Sequence, residues 1–218
     1  MRVVAAPDKF RGTASAVAVA AAVARSVVAA GGSAVEVPMA DGGEGTLEAL
    51  GGPNRTTRVT GPLGRPVEAS WRLDGSTAVI EMALTSGLLL AGGLDGNRAL
   101  DASTAGTGEL IRLAVDQGAR RVLVGMGGSA TTDGGLGALR AMGSPARYRG
   151  VDLLVACDVR TSFVDAAEVF GPQKGASPAE VELLRRRLER LAQVYDEEYG
   201  VAVSDLPRAG AAGGLAGG

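Results

Sequence analysis

The sequence predicts an α/β protein in which a parallel Rossmann-like or flavodoxin-like sheet domain is interrupted by a smaller α/β domain containing an antiparallel hairpin. Two observations predict this class. Short apolar runs alternate with helical stretches, which is typical of a parallel sheet. One further region alternates apolar and polar residues around a turn, which is typical of antiparallel strands. With 46% apolar residues among 218, the chain can bury a substantial core.

Four apolar runs have the length and composition of strands, and each is followed by an aspartate. The runs are 2–6, 34–38, 121–125 and 152–156, and the aspartates beyond them are Asp8, Asp41, Asp133 and Asp158. Ligands of open α/β sheets bind beyond the carboxyl ends of the strands. We therefore expect these four carboxylates to converge in one crevice.

Helices are predicted between these strands at 14–30 and 108–117, each followed by glycine where a helix ends. Arg25 interrupts the apolar segment 14–30, which is too short for a membrane span. The segment also lacks the flanking residues of a signal peptide. Another helix is predicted from Ser177, because a capping serine, Pro178 and Glu180 form a start signal.

Residues 57–82 indicate a hairpin, since apolar side chains from Val67 to Leu73 alternate with polar ones and Asp74-Gly75 follows. An antiparallel ribbon between βα units suggests a second domain inserted in the first. We therefore predict a discontinuous Rossmann-like domain of residues 1–55 and 97–160. The second, smaller and incomplete domain would comprise 56–96 and 161–218.

Composition excludes several classes of function. A net charge of -2 and a pI near 5.3 provide no basic patch for nucleic acid or an anionic membrane. The single cysteine, Cys157, cannot form an internal disulfide, which fits a cytoplasmic protein. The absence of histidine excludes a Ser-His-Asp triad and the common zinc sites.

The strongest local motif is the glycine-rich stretch 125–135, which follows a predicted strand and contains Gly127, Gly128, Ser129 and Gly134. Consecutive glycines allow backbone N–H groups to face a shared concavity, and with hydroxyl groups they can surround phosphate oxygens. The first six residues also fit the dinucleotide fingerprint G-x-G-x-x-A, although no carboxylate follows at the required distance. A nicotinamide-dinucleotide-binding protein therefore remains an alternative.

Three further loops carry groups suited to phosphate or metal. The loop 39–46 holds Asp41, Gly42, Gly43 and Glu44, whose carboxylates are hard oxygen ligands of the kind that Mg²⁺ prefers. The loop 6–13 places Asp8, Lys9 and Arg11 before a helix, which suits an anion. The loop 170–176 holds Lys174, the only other lysine of the chain.

Together these segments resemble the type I glycerate kinase family, ATP-dependent enzymes that phosphorylate D-glycerate. The resemblance runs in the family's order over nearly the whole chain. It is carried by 6–10, 38–46, 60–64, 80–83, 106–111, 127–135, 156–159, 169–176 and 210–215. It implies a two-domain α/β fold, a cleft active site, and Mg²⁺-ATP and glycerate as substrates.

On this hypothesis Gly127, Gly128 and Ser129 hold phosphate oxygens, while Lys9 and Lys174 neutralise charge. Substrate or phosphate binding is also predicted at Asp8, Asp41, Gly42, Gly43 and Gly134. Asp133, Asp158 and Lys174 are the predicted catalytic residues, and Asp133, Asp158 and Glu44 the predicted metal ligands. The base remains open among the four aspartates.

The chain departs from the family pattern in two places. Between Met142 and Val151 the family usually carries a much longer segment, and family members continue well beyond Gly218. The sequence therefore leaves open an inactive or split fragment that binds nucleotide or a partner chain. A homodimer is equally open, as is a missing C-terminal portion.

Overall fold

The computed structural model describes residues 1–10 and 13–218 and confirms the α/β class. Its strands are β1 (Arg2–Ala5), β2 (Ser33–Glu36), β3 (Arg55–Thr60), β4 (Pro66–Asp74), β5 (Thr77–Glu81), β6 (Arg121–Gly125) and β7 (Asp152–Ala156). Its helices are α1 (Ala16–Ala29), α2 (Thr46–Ala49), α3 (Ala83–Ser86), α4 (Gly93–Gly96), α5 (Ala105–Asp116), α6 (Leu136–Met142), α7 (Ala166–Phe170) and α8 (Pro178–Tyr199). In the described part of the chain, no helix combines the length and apolar character needed to cross a membrane.

The strands form two sheets. β1 pairs in parallel with β2 in a two-stranded sheet, and the other five strands form one sheet in the order β3-β4-β5-β6-β7. Within the larger sheet β3, β4 and β5 pair antiparallel, whereas β5, β6 and β7 are parallel. The predicted hairpin is thus confirmed as β4 and β5, and its alternation buries Ala69, Trp71 and Leu73 on one face.

The larger sheet runs across the domain boundary predicted at 96–97. β5 belongs to the predicted second domain and β6 to the first, yet they pair residue for residue from Thr77 with Arg121 to Glu81 with Gly125. The pairing partner of a strand is decided by non-local contacts, which the local pattern of the hairpin does not encode. One apolar core, with Trp71, Ile80 and Leu110 fully buried, lies on this sheet under α5 and α6.

The helix ends follow their capping residues. The Ser15 hydroxyl accepts a hydrogen bond from the Ala18 N–H at the start of α1, and Ser177 and Glu180 form the predicted capping box of α8. By contrast, α5 begins at Ala105, three residues earlier than expected. Its first turn contains Gly106 and Gly108, where other residues would clash with backbone. A Cβ at Gly106 would lie 1.9 Å from the Thr60 carbonyl oxygen, and a Cβ at Gly108 would lie 2.2 Å from the Ala138 carbonyl oxygen.

Candidate active site

A cavity of about 490 Å³ lies beyond the carboxyl ends of β6 and β7. We call it the glycine-rich pocket. Its walls come from the loops after β2, β6 and β7, from the segment around Lys174 and from the C-terminal segment. The lining residues are Asp41, Gly42, Gly43, Leu88, Met126, Gly127, Gly128, Ser129, Cys157, Asp158, Val159, Phe170, Gln173, Lys174, Ala211 and Ala212. Eight predicted site residues are therefore brought together here.

The loop after β6 is held by main-chain hydrogen bonds on both sides. The Gly127 N–H donates to the Gly42 carbonyl (2.9 Å), and the Gly128 carbonyl accepts from the Leu88 N–H (2.9 Å). The N–H groups of Gly128 and Ser129 donate to no atom within residues 1–10 and 13–218. Two fixed backbone donors beside a cavity can hold the oxygens of an anion.

Replacing Gly127 with alanine is expected to destabilise the protein. A Cβ at this position would lie 2.4 Å from the Gly43 Cα, a backbone atom that cannot move independently. Overpacking of this kind costs about 1–3 kcal/mol. Urea unfolding should therefore show a lower free energy for Gly127→Ala, and an unchanged value would mean that the two glycine loops are not packed against each other.

Lys174 is the buried cation of the pocket, with 3% of its surface exposed. Its Nζ donates to the Thr131 carbonyl oxygen (2.5 Å) and lies 5.8 Å from the centre of the Phe170 ring. Removal from water lowers the pKa of Lys174 to about 7, and the charge of Asp133 acts weakly in the opposite direction. The amine therefore changes its protonation state close to neutral pH, which suits a group that meets an anion.

The two pocket carboxylates differ in how they are held. The Asp41 carboxylate accepts from Lys9 Nζ and from the Gly43 N–H, both at 2.8 Å, and the hydrogen bond from Lys9 is the main reason that its pKa is lowered. Asp158 is exposed and accepts no hydrogen bond from the described residues. The Asp158 carboxylate is thus open to a ligand, whereas one oxygen of Asp41 already accepts two hydrogen bonds.

Three other predicted residues lie outside the glycine-rich pocket. Asp8, Lys9 and Glu44 line a separate groove of about 290 Å³ between the loop after β1 and the start of α1. Lys9 connects the two cavities through its ion pair with Asp41. Arg11, the second cation predicted in this loop, lies outside the described residues.

Asp133 lies near the end of the glycine-rich stretch and lines a different cavity, of about 640 Å³, instead of the glycine-rich pocket. Its carboxylate accepts hydrogen bonds from the N–H and hydroxyl of Thr104 and from the N–H groups of Gly135 and Gly137. It therefore connects the start of α5 to the start of α6. Of the four aspartates, only Asp41 and Asp158 share the glycine-rich pocket, because Asp8 lines the separate groove and the Asp133 carboxylate is engaged by Thr104 and by backbone N–H groups.

Asp133→Asn is expected to lower the free energy of unfolding by about 2 kcal/mol, since the amide replaces an acceptor with a donor among N–H groups. Denaturant unfolding and turnover should be measured together. A structural role predicts a stability loss of this size. A variant that is as stable as the parent but inactive would instead support the catalytic role predicted from the sequence.

Gly134 is also engaged in structural contacts. Its N–H donates to the Gly213 carbonyl (3.0 Å), and its own carbonyl accepts from the Tyr195 hydroxyl (3.0 Å). The segment 210–214 is buried and completes the pocket wall with Ala211 and Ala212. Ala212 has a φ of 54°, a left-handed conformation that is rare for alanine and is held here by the surrounding packing.

The predicted metal ligands are spread over three places: Asp158 lines the glycine-rich pocket, Glu44 the groove and Asp133 a third cavity. Across residues 1–10 and 13–218, no three acidic or cysteine side chains cluster in a manner that could hold a metal ion. Mg²⁺ in phosphate sites often takes only one or two carboxylates, together with water and substrate oxygens. Asp41 and Asp158 provide two carboxylates beside the backbone donors of the loop.

The structural context of a dinucleotide fingerprint is not present. That motif requires a helix directly after the glycines, with its N-terminus at the pyrophosphate. Here β6 ends at Gly125 and α6 begins at Leu136. The six matching residues therefore form a loop, and the geometry does not favour the nicotinamide alternative.

Several pocket residues carry no signal in the sequence. Leu88 and Met126 are ordinary apolar residues, whereas Ala211 and Ala212 are indicated only by the family resemblance of the segment 210–215. Cys157 is the exception, because it directly precedes Asp158 at the end of a predicted strand. Residues of this kind are identified by the packing of distant segments and not by their type.

The model of a family described as the glycerate kinase family matches residues 3–146 and 144–218. Glycerate 2-kinase of Escherichia coli K12 and glycerate kinase of Bacillus subtilis 168 are each 39% identical over 254 residues, covering 99% of this chain. The chain spans 66% of the length of these two relatives.

A crystal structure from Salmonella typhimurium LT2, of a protein proposed to be glycerate kinase 2, superposes with a TM-score of 0.88 and 36% identity. The superposition covers 100% of this chain and 68% of that one. The family match is divided at 144–146, and the aligned regions of 254 residues exceed the 218 of this chain. The predicted internal shortening before β7 is thereby confirmed.

Proposed function

The chain belongs to the glycerate kinase family, and we propose that it transfers the γ-phosphoryl group of ATP to a hydroxyl of D-glycerate, giving phosphoglycerate and ADP. The observation that carries this proposal is the glycine-rich pocket. It combines backbone N–H groups that have no acceptor among the described residues, two carboxylates and a buried lysine in one cavity. Phosphoryl transfer needs positioning and charge neutralisation more than covalent chemistry, and these groups provide both.

Each pocket group has a role that follows from its chemistry. The N–H groups of Gly128 and Ser129 bind oxygens of the transferred phosphoryl group. Asp158 orients the attacking hydroxyl of glycerate and accepts its proton as the new P–O bond forms and the bond to the β-phosphate breaks. Lys174, protonated when an anion is present, neutralises charge on the phosphoryl oxygens. Asp41 positions Lys9 and the Gly43 N–H at the rim.

ATP and Mg²⁺ are the proposed co-substrate and cofactor. Asp158 and Asp41 are the carboxylates that would hold the cation together with phosphate oxygens. When bound, Mg²⁺ neutralises charge on the phosphates during transfer. We propose that the protein acts in the cytoplasm on a small organic acid, without a nucleic acid or membrane partner.

ADP release in the presence of ATP, Mg²⁺ and D-glycerate tests the proposal. The expected result is turnover that requires D-glycerate, with phosphoglycerate identified by mass spectrometry. L-glycerate and lactate serve as matched controls, because they alter the configuration or remove a hydroxyl. Nucleotide binding without turnover would support an inactive member of the family instead.

A further inference from the structure

We propose that the cavity of about 640 Å³ that Asp133 lines, between α6 and α8, is a second binding site and takes an amphipathic anion. Such a ligand has an apolar body and a phosphate or carboxylate head group. We call this space the arginine cavity. The inference rests on the chemistry of its lining residues, and it is independent of the proposed function.

Much of the wall of the arginine cavity is apolar. Leu188, Leu191 and Val194 recur every three residues along α8 and therefore lie on one side of that helix. Leu136 on α6 and Ala102 in the segment before α5 line the same space. Sites for small organic molecules typically have volumes of about 300–1,000 Å³ and mainly apolar walls with a few polar groups. The cavity thus suits an organic body and not a bare ion.

The charge of the arginine cavity is positive. Four exposed arginines line it: Arg140, Arg186, Arg187 and Arg190. Within residues 1–10 and 13–218, Arg140 and Arg187 form no ion pair, and Arg187 Nη1 donates instead to the Leu100 carbonyl (2.8 Å). The Asp133 carboxylate also lines the cavity, but Thr104 and backbone N–H groups already engage it. Guanidinium groups match phosphate and carboxylate oxygens in geometry and charge, so the expected ligand is an anion.

Thr132 provides a second polar feature, independent of the arginines. It lines the arginine cavity and is only 2% exposed. Its Oγ1 is buried and has no hydrogen-bond partner in the described part of the chain. Buried hydroxyl groups are nearly always hydrogen-bonded, because leaving one unsatisfied costs free energy. A ligand atom in the cavity would supply the partner that this hydroxyl lacks.

The arginine cavity is distinct from the glycine-rich pocket. The two spaces have no lining residue in common. Thr132 lines the arginine cavity, while the carbonyl of the preceding residue, Thr131, accepts from Lys174 Nζ in the glycine-rich pocket (2.5 Å). A ligand of the arginine cavity therefore does not take the place of a ligand beside Lys174.

Isothermal titration calorimetry with two aromatic acids tests the proposal. The probes are 1-naphthyl phosphate and 1-naphthoate, which share a ring system and differ in the head group. We expect the preferred acid to bind with a dissociation constant on the order of 0.1 mM. Naphthalene-1-methanol, which lacks the charge, should bind at least about tenfold more weakly. The proposal is overturned if neither acid binds, or if the uncharged alcohol binds as tightly as the acids.

Two changes in the cavity show whether the probe binds there. The double variant Arg140→Gln, Arg187→Gln is expected to weaken binding of the preferred acid at least about tenfold. Arg65→Gln is the matched control, because this exposed arginine in the turn between β3 and β4 lies outside the cavity, and it should leave binding unchanged. Equal affinities of the double variant and of Arg65→Gln would contradict the proposal.

Thr132→Val tests the buried hydroxyl. Valine has nearly the same shape, so the free energy of unfolding without ligand should be unchanged or higher, because no hydrogen bond is lost. Affinity for the preferred acid should nevertheless fall about tenfold. A variant that binds as well as the parent, or that is clearly less stable without ligand, would show that the hydroxyl is not held in reserve for a ligand.

Lys174→Met separates this site from the glycine-rich pocket. Binding of the preferred acid should be the same in this variant as in the parent, because Lys174 does not line the arginine cavity. Loss of binding in Lys174→Met would place the probe in the glycine-rich pocket and overturn the proposal. Since turnover is not measured, the proposed function can fail while this site holds, and the reverse is equally observable.

Discussion

Lys174→Met is expected to abolish turnover and at the same time to stabilise the fold at pH 6.5. The loss of activity should be about a thousandfold in kcat, because the one buried cation that lines the pocket among residues 1–10 and 13–218 is removed from the transferring phosphoryl group. The gain in stability follows from burial. Lowering the pKa of a lysine from 10.5 to about 7 corresponds to roughly 5 kcal/mol of destabilisation when the amine is protonated.

The sign of the pH dependence follows from linkage. Below pH 7 Lys174 is protonated in both the folded and the unfolded protein. The folded state then carries the full free-energy cost of burying the charged amine. Between pH 7 and 10.5 the unfolded state binds more protons, so the stability of the parent rises with pH. Methionine loses the hydrogen bond to the Thr131 carbonyl, at a cost of about 1–3 kcal/mol. The net gain at pH 6.5 is therefore about 2–4 kcal/mol, and it should largely disappear by pH 9.

Urea unfolding of the parent and of Lys174→Met at pH 6.5 and pH 9 measures this difference. Lys9→Met is the matched control, because it removes the other lysine from a partly exposed ion pair that is worth at most about 1 kcal/mol. A Lys174→Met protein with parental kcat, or with a stability difference independent of pH, would contradict the assignment.

Asp158→Asn is expected to lower kcat about a hundred- to a thousandfold with no change in stability. The amide keeps the size of the carboxylate but is a poor proton acceptor for the glycerate hydroxyl. Because Asp158 is exposed and accepts no hydrogen bond from the described residues, its loss leaves no group unsatisfied. The fold should therefore not respond.

Steady-state kinetics and thermal unfolding of the same preparation test this prediction. Asp196→Asn on α8 is a suitable control, since this aspartate is exposed and lies outside the pocket. Parental turnover in Asp158→Asn would mean that another group accepts the proton. A large fall in stability would mean that Asp158 supports the loop after β7.

Local patterns in the sequence predict the elements well. The alternation from Val67 to Leu73 is sufficient for the hairpin, and Ser177 with Glu180 is sufficient for the start of α8. These signals lie within a few residues of the structure that they encode. Gly127, Gly128, Ser129 and Lys174, predicted as site residues because their types suit phosphate, line one cavity.

The features that the sequence could not predict depend on contacts between residues that are far apart along the chain. Nothing near β5 indicates that it continues into a parallel sheet with β6, some 40 residues away. Asp133 has the same local appearance as Asp158, yet it accepts hydrogen bonds from the distant Thr104 as well as from the N–H groups of Gly135 and Gly137. Gly106 and Gly108 resemble a cap until the close approach of Thr60 and Ala138 is known.

The most direct test of the central claim, that the glycine-rich pocket is the site of phosphoryl transfer, uses Cys157. This residue is the single cysteine of the chain and lines the pocket. Burial raises the pKa of its thiol, so alkylation by iodoacetamide should be followed near pH 9. Saturating Mg²⁺-ATP with D-glycerate is expected to slow alkylation at least about tenfold, because bound substrates fill the cavity. An unchanged rate under conditions of measurable turnover would place the reaction elsewhere.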